Sequence, residues 1–179
     1  PSMAIVAFLR GVNVGGYRTF RPSMLAIQLK DYGVVNIGAA GTFVVHKPVS
    51  QKRLRNELLR LLPFATEVMM CTGRQLMAAV SAKPFDDEPA SPDVVRFVSV
   101  LAKPPQVMPA IPMTLPADGK WLLRILAVHD RFIFGVYRRE MKAISILGSI
   151  DKLFGMPVTT RNWNTISAIV DALQKQERS

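Results

Sequence analysis

The order of strand and helix patterns in the first 82 residues limits the fold of this chain more than any other feature. A continuously apolar run from Ile5 predicts a buried strand, and Pro22 and Gly33 suit the start and the end of a helix. The predicted strands cover residues 5–14, 34–39, 42–47 and 65–72. The predicted helices cover residues 22–32, an amphipathic stretch opened by Pro48-Val49-Ser50, and residues 74–82. The order strand, helix, strand, strand, helix, strand is that of a ferredoxin-like split βαβ unit.

Two proline-rich stretches interrupt these patterns. Residues 83–93 combine prolines with acidic side chains and predict a linker between a subdomain at 3–82 and a second at 94–179. Residues 104–116 contain five prolines and predict an irregular loop, because proline removes a backbone donor and breaks helices. The remaining patterns predict a strand from Val94, a hairpin around His129-Asp130, a helix over 142–154 and a last helix from about Asn162. We therefore expect an α+β fold of two ferredoxin-like subdomains.

Net charge is the composition feature that bears most on function. The 179 residues include 23 Lys and Arg against 13 Asp and Glu, for a net charge of +10. A division at residue 90 gives +5 on each side, so the charge belongs to the folded body rather than to a basic tail. Charge alone is explained better by solubility and non-specific attraction than by a specific nucleic-acid site. It does indicate the sign of a partner, which would be anionic, with nucleic acid as the first choice.

Several classes of protein are disfavoured. No apolar run approaches the roughly 18 residues of a membrane span, and no secretory leader pattern is visible. Cys71 is the single cysteine and cannot form an internal disulfide, which predicts a cytoplasmic protein. With only His46 and His129 beside it, no metal site is expected, and no cofactor motif is found. No catalytic residue is predicted, because neither an acid–base pair nor a nucleophile motif is recognisable.

A glycine-rich stretch after the first strand is one candidate ligand site. Backbone N–H groups in such a turn can cradle an anion, and flanking arginines add positive charge. The candidate residues are Arg10, Asn13, Gly15, Gly16 and Arg18. The spacing matches neither the Walker loop nor the dinucleotide fingerprint. A tight turn that needs glycine for its backbone geometry is the favoured role of this stretch, and anion binding is the alternative.

A second candidate lies before the last helix, where polar side chains surround a tryptophan. The candidate residues are Arg161, Asn162, Trp163 and Asn164. Donors near the positive end of a helix suit an anion, and the indole could stack on a base or a sugar. Trp163 is also in helical register with Ile166 and Val170, which instead predicts an anchor in the core.

The two stretches carry a resemblance to a known family. Residues 9–16 and residues 159–165 resemble the two hallmarks of the bacterial family called domain of unknown function 1697. The resemblance implies an α+β protein of two ferredoxin-like subdomains and implies no activity. Members of the family usually have Ser-Gly-Asn before the third strand, where this chain has Ala40-Gly41-Thr42.

Three functions remain open on the sequence. The leading hypothesis is a non-enzymatic protein that binds an anionic ligand, with nucleic acid favoured. The second is an enzyme or a sensor for a small phosphorylated or carboxylated metabolite held between the two hallmark segments. The third is a scaffold whose methionine-rich and proline-rich surfaces bind another protein or a second copy of the chain.

Overall fold

The structure is a computed structural model that describes residues 4–13, 16 and 18–178. Its secondary structure is mixed α+β, with two antiparallel sheets, as the sequence predicts. The chain divides into a first unit, residues 1–77 with 164–179, and a second unit, residues 78–163. Among the described residues, no helix is long and apolar enough to cross a membrane.

The first unit contains a four-stranded sheet. Its strands are β1 (Ile5–Leu9), β2 (Val34–Asn36), β3 (Thr42–Val45) and β4 (Val68–Thr72), in the order β2-β3-β1-β4 with antiparallel neighbours. Its first helices are α1 (Pro22–Gln28) and α2 (Gln51–Leu61), and a 3₁₀ turn (Lys30–Tyr32) follows α1. The helix α3 (Gly73–Ser81) begins in this unit. All six predicted elements up to β4 are present.

One face of this sheet forms a core with α1 and α2. Alternate residues of β1 (Ile5, Ala7 and Leu9) pack with Leu25 of α1 and Leu54 of α2. The N-terminus of α2 is capped, because the Ser50 hydroxyl accepts a hydrogen bond from the Arg53 backbone N–H at 3.1 Å.

The second unit contains a five-stranded sheet. Its strands are β5 (Val94–Leu101), β6 (Met113–Leu115), β7 (Leu123–His129), β8 (Phe132–Arg138) and β9 (Val158–Asn162), in the order β6-β7-β8-β5-β9. Two short helices, α4 (Met141–Leu147) and α5 (Ile150–Phe154), lie between β8 and β9. The last helix, α6 (Trp163–Arg178), follows β9, and its residues from 164 onward belong to the first unit.

Three predicted elements differ from the observed ones. The first strand ends at Leu9 rather than at residue 14, because Gly11 and Asn13 have positive φ angles of 67° and 54° that a strand does not allow. The predicted helix 142–154 is two helices, since the chain turns at Ser149, whose N–H and hydroxyl both donate to the Ile146 carbonyl. The predicted irregular loop contains the short edge strand β6.

The predicted linker also differs in its surroundings. Phe85 is buried and meets the ring of Phe134 edge-on at 6.0 Å. Glu88 forms an ion pair with Arg124 at 2.9 Å, where a solvated acidic side chain was expected. The structure assigns most of α6 to the first unit, whereas the predicted boundaries of 3–82, 83–93 and 94–179 assign it to the second subdomain. Whether residues 3–82 and 94–179 fold as independent subdomains stays a prediction.

Candidate functional site

The first candidate site is the loop between β1 and α1, residues 10–18, which we call the hallmark loop. Its first residue is tied to the chain that precedes β4. The Arg10 N–H donates to the Glu67 carbonyl at 3.0 Å, and the Thr66 hydroxyl donates to the Arg10 carbonyl at 2.6 Å. The Arg10 guanidinium forms an ion pair with the Glu67 carboxylate at 2.9 Å, with both side chains partly exposed. Part of the positive charge of Arg10 is therefore balanced within the protein.

Asn13 connects the hallmark loop to two other segments. Its side-chain amide donates to the Ala39 carbonyl at 2.9 Å and accepts from the Phe20 N–H at 2.9 Å. Its backbone N–H donates to the Arg18 carbonyl at 3.2 Å, which closes the loop on itself. The side chain of Asn13 thus holds the shape of the loop in this structure.

The backbone of the hallmark loop is left-handed at four described positions. The φ angles are 67° at Gly11, 54° at Asn13, 79° at Gly16 and 50° at Arg18. Glycine takes this conformation readily, whereas it is uncommon for other residues and concentrates at functional sites. Gly16 is exposed and Arg18 is half-exposed, while the predicted Gly15 lies outside the described residues.

The second candidate segment runs from β9 into α6. Arg161 is only 6% exposed, and its guanidinium donates to the Thr159 hydroxyl at 2.7 Å and to the Thr160 carbonyl at 2.9 Å. Burial lowers the pKa of Arg161 to about 10, which still leaves the side chain charged at neutral pH. Both of these hydrogen bonds are to residues of its own strand, β9.

Trp163 opens α6 with its ring in an aromatic cluster. The indole meets Phe85 edge-on at 4.8 Å and Phe134 at 6.4 Å. These contacts agree with the alternative that its helical register indicated, an anchor in a core. Its neighbours Asn162 and Asn164 are both exposed. Four of the predicted residues, Arg10, Asn13, Gly16 and Arg18, thus lie in the hallmark loop, whereas Arg161 and Trp163 have internal contacts. Ligand binding by either segment stays a prediction.

Two surface grooves were not predicted from the sequence. One, of about 510 Å³, is lined by side chains of the first unit that include His46 and Lys175. The other, of about 480 Å³, lies in the second unit and is lined by Lys103, Lys152 and apolar residues. Each groove combines segments that are far apart along the chain, so no local motif marks it.

In the part of the chain that the structure describes, no group of three or more His, Cys, Asp or Glu side chains could hold a metal ion. Cys71 is a buried free thiol in β4.

Comparisons with known proteins identify relatives without an assigned activity. The family model of the protein of unknown function DUF1697 matches residues 3–114. No curated protein matches the chain. Among solved structures, the conserved bacterial protein SP0830 from Streptococcus pneumoniae is similar, with a TM-score of 0.54 and 16% sequence identity, over 95% of this chain and 98% of that chain. At this identity the likeness shows a shared fold alone.

Proposed function

This chain belongs to the DUF1697 family of proteins of unknown function, and on that premise we propose that it is a non-enzymatic protein that binds an anionic ligand, with nucleic acid as the favoured class. The observation that carries the proposal is the shape of the hallmark loop. Two non-glycine residues, Asn13 and Arg18, keep left-handed backbones there, and an internal hydrogen-bond network maintains them. Such strain is characteristic of ligand-binding loops.

The charge distribution supports this proposal. The first unit, which contains the hallmark loop, has 12 basic against 5 acidic residues, while the second has 11 against 8. The first unit alone therefore has a net charge of +7, compared with +3 for the second. A concentration of positive charge on one body is what attracts a phosphate backbone.

Helix α2 supplies further cations on the first unit. Lys52 and Arg53 are exposed, and the exposed Arg60 forms an ion pair with Glu57 at 2.7 Å. The helix follows β3, whose last residue Val45 pairs with Ile5, and it precedes β4, which begins at Val68 opposite Leu9. Arg60, near the C-terminal end of α2, is therefore the α2 cation closest in the chain to the end of the sheet where the hallmark loop leaves β1, whereas Lys52 and Arg53 add to the net charge of the unit.

The sheets themselves are not available for base stacking. RNA-binding ferredoxin-like sheets stack bases on exposed aromatic residues of their central strands. Here Phe132 and Phe134 on β8 are fully buried, and Tyr137 packs beside Phe97. The proposed contacts are therefore to the phosphate backbone, with little selectivity for sequence.

The proposal extends to the finer fold assignment. The order β2-β3-β1-β4 supports a ferredoxin-like arrangement for residues 3–82. In the second sheet, β7-β8-β5-β9 repeats the same relative order, with β6 added at the edge. The stretch between β5 and β6 takes the place of the first helix. We infer that the two halves are copies of one topology.

A salt titration of nucleic-acid binding tests the function. Fluorescence anisotropy with short single-stranded RNA, single-stranded DNA and duplex DNA measures the affinity of the full chain from low to physiological salt. We expect binding at low salt. The logarithm of the association constant should fall linearly with the logarithm of the salt concentration. Arg18→Gln should weaken binding to all three and reduce the slope by about one.

Arg74→Gln is the matched control. Arg74 is exposed and follows β4, whose last residue, Thr72, pairs with Ile5, so it lies at the end of the sheet away from the hallmark loop. The control should bind like the natural chain. Undetectable binding at low salt, or an affinity that ignores salt, would refute the proposal. Tight binding of a mononucleotide with no gain for longer strands would instead favour the metabolite hypothesis.

A further inference from the structure

We propose that a groove beside α6 in the first unit binds a small amphipathic carboxylate, whose carboxylate group is held by His46 and Lys175. This site is distinct from the hallmark loop, and the inference does not depend on nucleic-acid binding. The ligand class is an aliphatic or aromatic acid with one negative charge and an apolar body.

The groove, which we call the α6 groove, lies on the sheet face opposite the one that α1 and α2 cover. Val35 pairs with Val44 in the sheet, and His46 follows two residues later on the same face. The main lining residues are Val35, Ile37, His46, Ala168, Ala172 and Lys175. Its volume of about 510 Å³ is within the range of small-molecule sites. The short side chains of α6 leave this space open beside the edge strand β2.

His46 is the polar group at the strand side of the groove. Its Nδ1 atom is withdrawn from solvent and has no hydrogen-bond partner among the described residues. Desolvation by burial also lowers the pKa of His46 below 6.5, so the imidazole is neutral at pH 7. In the neutral tautomer with the proton on Nε2, the buried Nδ1 has a lone pair. The Nε2–H of His46 is then the one donor that the ring offers to a ligand.

Lys175 is the charged group at the helix side. It is exposed and lies seven residues after Ala168, two helical turns along the same face of α6. The acidic residues of α6, Asp171 and Glu177, do not line the groove. One ammonium group and one neutral N–H donor match one carboxylate, because a carboxylate accepts both kinds of hydrogen bond.

The apolar lining determines the rest of the ligand. Val35 and Ile37 form one wall, and Ala168 and Ala172 form the other. An alkyl chain or a ring between them removes apolar surface from water on both sides, Val35 being 41% exposed in the free protein. A cationic ligand of the same shape would be repelled by Lys175.

Nuclear magnetic resonance of this 179-residue chain tests the site with three probes of equal alkyl length. Octanoate should cause saturable shifts in the amide signals of Val35, His46 and Ala172. Octanol, which lacks the charge, should bind about tenfold more weakly, and octylammonium, which reverses the charge, should bind more weakly than octanol. Equal affinity for octanoate and octylammonium would overturn the proposal, as would shifts that do not saturate or that lie away from the groove.

Two variants test separately how the space between the apolar walls and the charge of Lys175 contribute to octanoate binding. Ala168→Leu at an exposed helical position should fill the groove without disturbing the core, and should abolish octanoate binding. Lys175→Gln should weaken octanoate about tenfold and leave octanol unchanged. Arg178→Gln, an exposed cation on α6 outside the groove, is the control and should have no effect. Octanoate binding that survives Ala168→Leu would place the ligand elsewhere and refute the inference.

Discussion

Two glycines in the connection between β2 and β3 have the same backbone conformation and different surroundings. Gly38 and Gly41 have φ angles of 73° and 81°. A Cβ atom at Gly38 would meet nothing within 4 Å, whereas one at Gly41 would lie 2.8 Å from side-chain atoms of Leu9 and Val12. The pair therefore separates the cost of a left-handed backbone from the cost of a steric clash beside the hallmark loop.

We expect Gly38→Ala to reduce the free energy of unfolding by about 1 kcal/mol, the backbone cost alone. Gly41→Ala should cost about 1–3 kcal/mol more, because Leu9 and Val12 must move out of a filled core. Urea denaturation of both variants measures the difference. Equal destabilisation would show that the space around Gly41 is less tightly filled than the structure indicates.

His46 gives the stability of the protein a pH dependence of predictable sign. Burial lowers its pKa below 6.5 in the folded chain, so the unfolded chain binds the proton more readily. The contribution is fully present above pH 6.5 and is lost as the pH falls toward the folded-state pKa. Urea denaturation between about pH 7.5 and 5 should therefore show a smaller loss of stability for His46→Gln than for the natural chain. An unchanged pH dependence in the variant would contradict the assignment to His46.

At the scale of elements, local signals explain what could be predicted. The amphipathic pattern after Pro48-Val49-Ser50 predicted α2, which begins at Gln51 with Ser50 as its cap, because the residues that start a helix are neighbours of the helix in sequence. The hallmark loop was predicted as a glycine turn, but the contacts of Asn13 with Phe20 and Ala39 were not, since the sequence does not state which distant carbonyl an amide reaches. Arg161 was predicted as a donor near the positive end of the last helix, but its burial and its bonds to Thr159 and Thr160 were not predicted.

The segment between α3 and β5 shows this limit most clearly. Its prolines and acids predicted a solvated linker, yet its aromatic residue is buried against partners 49 and 78 positions further along the chain, Phe134 and Trp163. The Arg96 guanidinium also lies 5.5 Å from the centre of the Phe85 ring. Composition describes the average of a segment, and here one residue determines where the segment lies.

Phe85→Ala tests whether that residue anchors the segment. We expect a loss of about 3–5 kcal/mol in the free energy of unfolding, because the ring fills an aromatic cluster that cannot close over the cavity. Val107→Ala, at a position 71% exposed in another loop, should change stability by less than about 0.5 kcal/mol. If Phe85→Ala were as mild as this control, the segment would be a linker after all.

At the scale of the whole molecule, the last helix changes how the charge is divided. A cut at residue 90 gives equal charges of +5, but the two structural units have +7 and +3, because the first unit also contains residues 164–179. The sequence-based cut could not show this, since it treats each half as continuous. The larger net charge thus belongs to the unit that contains the hallmark loop and α2.

The same discontinuity predicts how the chain can be divided experimentally. Leu173 of α6 is buried and its side chain lies against Gly73, where an added Cβ would come within 2.8 Å of it. A fragment of residues 3–82 lacks this contact, so its sheet keeps an apolar face open to water. We expect the fragment to be unfolded or aggregated, and a fusion of 3–82 to 163–179 through a flexible linker to recover a cooperative unfolding transition. Circular dichroism melts of the two proteins compare them directly.

Leu173→Ala in the fusion is the matched control for α6. It should destabilise the fusion by about 2–5 kcal/mol, the usual cost of removing a buried leucine side chain. If the fusion folds cooperatively and the Leu173→Ala fusion does not, α6 is an integral part of the core of the first unit. Cooperative folding of residues 3–82 alone would instead support the boundaries predicted from the sequence, with α6 as an addition that the first subdomain does not need.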